Sequence, residues 1–348
     1  MRPNRTLGDA AGAALGTARA EGIHHEAFTY FGDVGFLGAT RDFVLAGLAA
    51  DEDVLVVVPE PGTSLLRSAL GRAVKRVAFV DMAEVGKNPA CIIPVWQEFV
   101  ERGAERGRSV RGIGEPVWPG RVAPELGECV LHEALLNEAF AGPPSWRLRC
   151  LYEAGVLEPA VADGVWRTHP VVVDGGLAQS STRFRTSGHG TSGHGTSGHG
   201  TSGPAAVWSG EPWPDPFAAP LPDLGPPRAE LAFGPRDLGL IRAAAAAAAR
   251  AEGLNSDRVG DVELAVHEVA TNSVRHGGGQ GIVRFWSDGG LICEVSDAGL
   301  VADRLVGRRR PELDLGGGRG LWLVNQLCDL VQLRSAETGT TVRMFVRG

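Results

Sequence analysis

The chain has 348 residues, 43% of them hydrophobic and 22% charged, with a formal net charge of −7. Such a composition suits a globular protein long enough for two domains, and the acidic balance gives no general electrostatic footing on nucleic acid or an anionic membrane. The five cysteines (Cys91, Cys129, Cys150, Cys293 and Cys328) are scattered without a CxxC pair, so they point to neither a zinc ribbon nor a disulfide framework. Reduced thiols in a cytosolic protein are the expectation. The opening segment is interrupted by Asp9 and Glu21 and is not expected to act as a secretory signal. No stretch reaches the ~20 consecutive apolar residues of a membrane span, so a soluble cytoplasmic protein is expected.

Strand-like and helix-like patterns alternate over residues 24–170. DVLVVVP (53–59) and KRVAFVDM (75–82) are short valine-rich runs, as buried strands should be. GTSLLRSALG (62–71), PACIIPVWQEFVERG (89–103) and PELGECVLHEALLNEAFAG (124–142) have helical spacing, while SVRGIGEP (109–116) and WRLRCLYE (146–153) again predict strands. The alternation predicts an α/β domain with a mostly parallel sheet covered on both faces. Parallel sheets place ligands at the carboxyl ends of their strands. Glu115, Trp118, His132 and Glu133 are the polar or aromatic candidates for such a pocket, although each also has an ordinary structural reading.

Residues 171–226 predict a flexible linker. They contain the five-residue repeat TSGHGTSGHGTSGHGTSG (186–203) and a Pro-containing stretch ending LPDLGPPR. His189, His194 and His199 of the repeat offer imidazoles to a metal ion, but an expanded coding repeat explains them equally simply.

Residues 227–348 predict a second compact unit. RAELAF (228–233) reads as a strand, and PRDLGLIRAAAAAAARAEGL (235–254) as an alanine-favoured helix. A second helix runs from about Asp257 to His276. GIVRFWSD (281–288) and GLICEVSD (290–297) form a hairpin across Asp288-Gly289-Gly290. The loop DLGGGRG (314–320) leads into the helix LWLVNQLCDL (321–330), and VQLRSAE (331–337) and TTVRMFV (340–346) form a last hairpin. Helices on one side of a mostly antiparallel sheet give an α+β two-layer sandwich.

Three polar clusters punctuate this unit. Glu268, Asn272 and His276 recur every four residues, which places them along one helical face beside an apolar stripe of Val262, Val266 and Val269. Asp297 ends a strand two residues before Gly299; the pair suits a turn, or a carboxylate accepting from an amino group that glycine lets approach the backbone. Gly316, Gly318 and Gly320 precede a helix, where backbone N–H groups and the helix N-terminus suit a phosphate. No Gly-Lys-Ser/Thr follows, so this is not a Walker A loop. Taken singly, each cluster also fits an exposed helix face, a turn or a flexible loop.

Together, in this order and spacing, EVATNSVRHG (268–277), DAG (297–299) and GGGRGLWLV (316–324) resemble the N-box and two glycine boxes of the GHKL ATPase superfamily. Within it, residues 228–347 look most like the anti-sigma-factor serine kinases. The resemblance implies the Bergerat ATP-binding fold and ATP with Mg2+. It implies that Asn272 coordinates the magnesium, that Glu268 is the general base toward a serine or threonine hydroxyl, and that Asp297 reads the adenine with Gly299 allowing contact. It also implies that Gly316, Gly318 and Gly320 shape the phosphate loop and that Arg319 meets a phosphate. His276 is expected to pack or cap the helix. Leu300 departs from the DxGxG form of the first glycine box. Arg304, Arg308, Arg309 and Arg310, between the boxes, are placed to meet the phosphate tail or to remain solvated. A histidine kinase fits less well, because the repeat and Pro-rich segment stand where a dimerising, phosphoacceptor hairpin belongs.

The first unit resembles the MEDS family of sensory domains attached to bacterial regulators. The residues that carry the likeness are HHEAFTYFGDVGFLGATRDFVLAGLAADEDVLVVVPEP (24–61), FVDMAEVGKNPACIIPVWQEFV (79–100), RGIGEPVWPG (111–120) and HEALLNEAF (132–140). The resemblance implies a degenerate RecA-like core without a nucleotide loop, since GDVGFLGATRD (32–42) has no lysine. The combined expectation is a signal-responsive regulator whose second unit phosphorylates serine or threonine in a partner switch. Its partners would be a sigma factor, an anti-anti-sigma protein, or both. A small-molecule ligand is expected at the first unit and a homodimer by resemblance, with no direct contact to nucleic acid or membrane. The alternatives are an ATP-holding module that sequesters a partner without catalysis, and a sensor with a vestigial ATPase half.

Overall fold

The computed structural model describes residues 22–185, 215–311 and 319–348. The TSGHG repeat, with His189, His194 and His199, lies outside the described residues, as do Gly316 and Gly318.

The first domain runs β1 (Ile23–Tyr30), α1 (Gly32–Ala49), β2 (Asp53–Val58), α2 (Gly62–Leu70), β3 (Val77–Asp81), α3 (Met82–Val85), α4 (Ile92–Glu105), β4 (Val110–Gly114), α5 (Ala123–Ala139), β5 (Trp146–Glu153), α6 (Pro159–Thr168), β6 (Val171–Asp174) and β7 (Leu177–Ser180). Its seven strands order as β3-β2-β4-β5-β1-β6-β7. All pairings are parallel except β6 with β7. The valine run of β2 shows why both faces must be covered. Val54, Val56 and Val58 pack with Phe36, Phe43, Leu66 and Leu70 of α1 and α2. Leu55 and Val57 point the other way and join Ile92 and Trp96 of α4 and Leu131 and Leu135 of α5. Side chains alternate across a strand, so a strand buried on both faces is apolar throughout.

The segment GDVGFLGATRD begins α1 directly after β1, with the Gly35 amide donating to Phe31 O. The first turn of the helix therefore follows β1 directly after Phe31.

The second domain contains β8 (Ala229–Phe233), α7 (Leu238–Ala251), α8 (Ser256–His276), β9 (Gly281–Ser287), β10 (Leu291–Asp297), α9 (Arg319–Leu327), β11 (Leu330–Ala336) and β12 (Gly339–Val346). Its sheet has the order β11-β12-β10-β9-β8 and is antiparallel throughout. Ile241, Ala245 and Ala249 of α7, the valine stripe of α8, and Val324 of α9 pack on Val283, Phe285, Val295 and Met344 of the sheet. Asn255 starts α8 by accepting from the Arg258 amide at 2.9 Å, which satisfies one of the donors a helix N-terminus leaves open.

The described ends of the span 171–226 are built into the two domains. Residues 171–180 add the β6–β7 hairpin to the first sheet. Phe217 is 3% exposed in the core, and its carbonyl accepts from the Ser335 amide. The two domains pack against one another. Buried apolar side chains of both domains join in one cluster, and α5 lies against β11 and the segments that follow Gly299 and β12. There Gln332 Nε2 donates to Pro124 O, Arg347 pairs with Glu125, and Arg308 and Arg334 pair with Glu128. Among the described residues no helix is long and apolar enough to cross a membrane.

Candidate nucleotide site

The second domain encloses a cavity of about 370 Å3 between α8, the end of β10, α9 and β12. One α8 face supplies Val269, Asn272 and His276, and the loop after β10 supplies Asp297, Gly299 and Leu300. Val301, Val306, Leu321, Leu333 and Val342 complete apolar walls. A mostly apolar cleft with a few convergent polar groups is what a heteroaromatic ligand requires.

Asp297 forms the polar end. Its Oδ2 accepts from Ser273 Oγ at 2.6 Å and its Oδ1 from the Gly299 amide at 2.7 Å. These contacts fix the carboxylate, while each oxygen keeps a lone pair for a ligand. The approach is close. A Cβ on Gly277 would lie 2.3 Å from the Asp297 carboxyl carbon, and one on Gly299 would lie 2.7 Å from His276 O. Both glycines are thus needed for contact between the end of α8 and the β10 loop, whatever their φ.

Glu268 and Asn272 sit one turn apart, half-buried, and both face the start of α9. A Cβ on Gly320 would lie 2.8 Å from Glu268 Oε2 and 3.4 Å from Asn272 Nδ2. The carboxylate, the carboxamide and the α9 N-terminus therefore meet at one point, a cradle that a side chain on residue 320 would fill. An amide oxygen, a carboxylate and a helix N-terminus are the donor set that magnesium and a phosphate tail require. Glu268 does not line the cavity itself; it stands at its α9 end. Gly316 and Gly318 fall outside the described residues. Arg319 opens α9 and is exposed. His276 is exposed at the cavity rim, in the last turn of α8.

Leu300 is 66% exposed. Its side chain lies at the cavity rim. The four arginines between the boxes do not act together. Arg304 pairs with Asp215. Arg308 is 2% exposed and pairs with Glu128 of the first domain at 2.9 Å. Only Arg309 and Arg310 are exposed, so a basic stretch gathered on the phosphates is not what this structure holds.

Two residues absent from the sequence-based list belong to the site. Ser273 positions Asp297. Thr340 lies opposite Asp297 in the β10–β12 register, lines the cavity and donates to Gly299 O at 2.8 Å. The α-helical offset of one residue from Asn272 was the available signal for Ser273; Thr340 had none, because strand pairing brings it there.

In the first domain, Glu115, Trp118, His132 and Glu133 do not converge on one pocket. Glu115 does stand at a strand end, after β4, and accepts from Tyr30 Oη at the end of β1. Burial pushes its carboxyl up to about 7, against the lowering effect of the Tyr30 hydrogen bond. Trp118 lies under the Arg121 guanidinium, 3.6 Å from the ring centroid. His132 is buried, which pushes its imidazole down to about 3. Only Glu133 lines the adjoining cavity, whose volume of about 10 Å3 holds no more than a water.

Residues 24–170 match the family model described as MEDS, the methanogen/methylotroph DcmR sensory domain. Residues 231–346 match that of the histidine kinase-like ATPase domain. The chain thus carries a MEDS sensory domain and a histidine kinase-like ATPase domain. No curated protein matches it. Among solved structures, the RsbU and RsbW domains of Rv1364c from Mycobacterium tuberculosis are similar at 19% identity, over 35% of this chain and 33% of that one, with a TM-score of 0.26.

Proposed function

We propose that the second domain binds Mg-ATP and is a serine/threonine protein kinase of the anti-sigma type, acting in a partner switch under control of the first domain. The observation that carries this reading is the meeting of Glu268, Asn272 and Gly320 at the α9 end of a cavity whose other end is Asp297. Asp297 would accept the hydrogen bond of the adenine amino group, between apolar walls that take the ring. Asn272 would hold magnesium, which neutralises charge on the phosphates when bound. Glu268 would take the proton from a serine or threonine hydroxyl as its oxygen bonds to the γ-phosphorus and the bond to the ADP oxygen breaks. Phosphoryl transfer asks mostly for positioning and charge neutralisation; these side chains would supply the positioning, and bound magnesium the neutralising charge. The partners are proposed to be a sigma factor, an anti-anti-sigma protein bearing the acceptor, or both, in the cytoplasm; a small ligand of the first domain and a homodimer complete the reading.

The test is capture of partners from the native cell lysate with full-length protein, addition of Mg-ATP and phosphopeptide mass spectrometry. A new phosphoserine or phosphothreonine on a captured protein is expected. The Glu268→Gln variant should bind Mg-ATP and transfer at least about a hundredfold less phosphate, the scale of general-base catalysis; equal transfer overturns the assigned base. A second reading, a nucleotide-holding module that sequesters its partner, is favoured by Arg308 being engaged away from the cavity. Capture of a sigma factor with no phosphate transferred would select it.

A further inference from the structure

The interior of the first domain holds four ligand-type side chains that have no part in the nucleotide site. His25 on β1 and Cys150 on β5 share one face of two paired parallel strands, with Ala27 opposite Cys150. Glu133 descends from α5, and His169 follows the last turn of α6. His25 Nε2 lies 2.9 Å from Glu133 Oε2 and 3.3 Å from Cys150 Sγ. His169 Nε2 lies 3.3 Å from Glu133 Oε2, and the four ligand atoms are all within 4.8 Å of one another. None of the four residues is more than 2% exposed.

The surroundings fix which atoms face inward. His169 Nδ1 lies 2.9 Å from Val165 O, a pure acceptor, so this nitrogen carries the proton. Asn137 spends its amide hydrogens on Glu133 O and Thr168 O, which turns its Oδ1 toward His25 Nδ1 at 3.2 Å and makes that nitrogen a donor as well. Both Nε2 atoms are left with lone pairs aimed at a carboxylate. Glu133 Oε2 and His169 Nε2 have no hydrogen-bond partner, and Tyr152 Oη steadies the other carboxylate oxygen, Oε1, at 2.9 Å. Converging lone pairs in a buried space repel unless a cation stands between them. A proton relieves one such contact; a divalent ion relieves all four together.

We propose that His25, Glu133, Cys150 and His169 form a closed, tetrahedral site for one divalent transition ion, with zinc the best match. Two imidazoles, a carboxylate and a thiolate are the ligands zinc takes, whereas calcium and magnesium call for oxygen alone. Zinc–ligand bonds of about 2.0–2.3 Å require ligand atoms about 3.3–3.6 Å apart, and the contacts across Glu133 and Cys150 are close to that spacing. The outer partners fit as well, since metal-bound histidines donate their second N–H to a carbonyl or carboxamide. Four protein ligands leave no open position, so the ion is structural or sensory. It would pin α5, the helix whose Glu128 holds Arg308 of the second domain.

The experiment uses full-length, tag-free protein with His189, His194 and His199 replaced by glutamine, so that the repeat contributes no imidazole. Purified without metal-affinity steps, it is assayed for metal content and titrated with Co2+. One zinc per chain and a sulfur-to-cobalt charge-transfer band are expected. Cys150→Ser should abolish the band, and Cys150→Ser and His169→Gln should each weaken metal binding at least about tenfold. Absence of metal and of the band in the Cys150-containing chain overturns the site and leaves a shared proton as its occupant. So does metal binding that neither substitution alters. If His169→Gln fails to fold, the cobalt spectrum of the chain that retains all four ligands still decides.

Discussion

Glu128→Gln is the most informative perturbation of the contact between the domains. Glu128 is fully buried, accepts from Arg308 at 2.9 Å and ion-pairs with Arg334 at 2.6 Å. Arg308 belongs to the segment between Gly299 and α9, one residue after Gly307, whose carbonyl accepts from Asn325 Nδ2. Asn325 in turn accepts from Asn88 Nδ2 of the first domain. The first domain therefore grips the border of the second domain's cavity at two adjacent points. Replacing the carboxylate by an amide of the same shape leaves two arginines without a counter-charge. Breaking a buried pair in this way costs about 3–5 kcal/mol when the charges stay buried. Here they need not, because separation of the domains returns both to water. The cost then appears as loss of docking and not as unfolding of either domain. Hydrogen exchange should rise in residues 304–311 and in α5, with the exchange of α8 unchanged. Freed from Glu128, Arg308 becomes available to the phosphate tail, so a fluorescent ATP analogue should bind at least about threefold tighter, a shift of ~0.7 kcal/mol. Unchanged exchange at 304–311, with unchanged nucleotide affinity, would refute the idea that Glu128 restrains this segment.

Asp297→Asn keeps an acceptor for the Gly299 amide but presents the wrong hydrogen-bonding pattern to an amino group; nucleotide affinity should fall at least about tenfold, measured by calorimetry, with little change in thermal midpoint. Gly320→Ala places a Cβ 2.8 Å from Glu268 Oε2, so it should lower phosphate transfer more than nucleotide binding, and equal losses would argue against the shared cradle. Glu115 titrates at about 7 when folded and 4.5 as its ordinary value. The unfolded chain therefore releases this proton first, and stability falls as pH rises from 4.5 to about 7, by about 3 kcal/mol in all, then levels off. Glu115→Gln should flatten the dependence of denaturation midpoint on pH across that window; an unchanged slope would assign it to other groups.

What could be read without coordinates divides along a physical line. The α8 face was legible because helical spacing is local: Val262, Val266 and Val269 bury together, and Glu268 and Asn272 share the other side. The β2 valines announced a doubly covered strand for the same reason. Even the β6–β7 hairpin left a trace, since Gly175 and Gly176 after Asp174 both take positive φ in its turn; it was lost in a polar stretch read as linker. Features made by pairing left no trace. Thr340 meets Asp297 through strand register, and His25 meets Cys150 through two parallel strands more than a hundred residues apart in the chain. Nor do the two sets stand alone. Glu133 and Glu128 lie on the same helix, five positions apart, one buried among the imidazoles and the other holding Arg308. Both ends share α5, so a change in what the four buried ligands hold would reach the edge of the second domain's cavity through this helix. Coupling of that kind needs a shared element with two arrangements and a difference in binding between them, and α5, seated between the domains, is the element that both sites can bias.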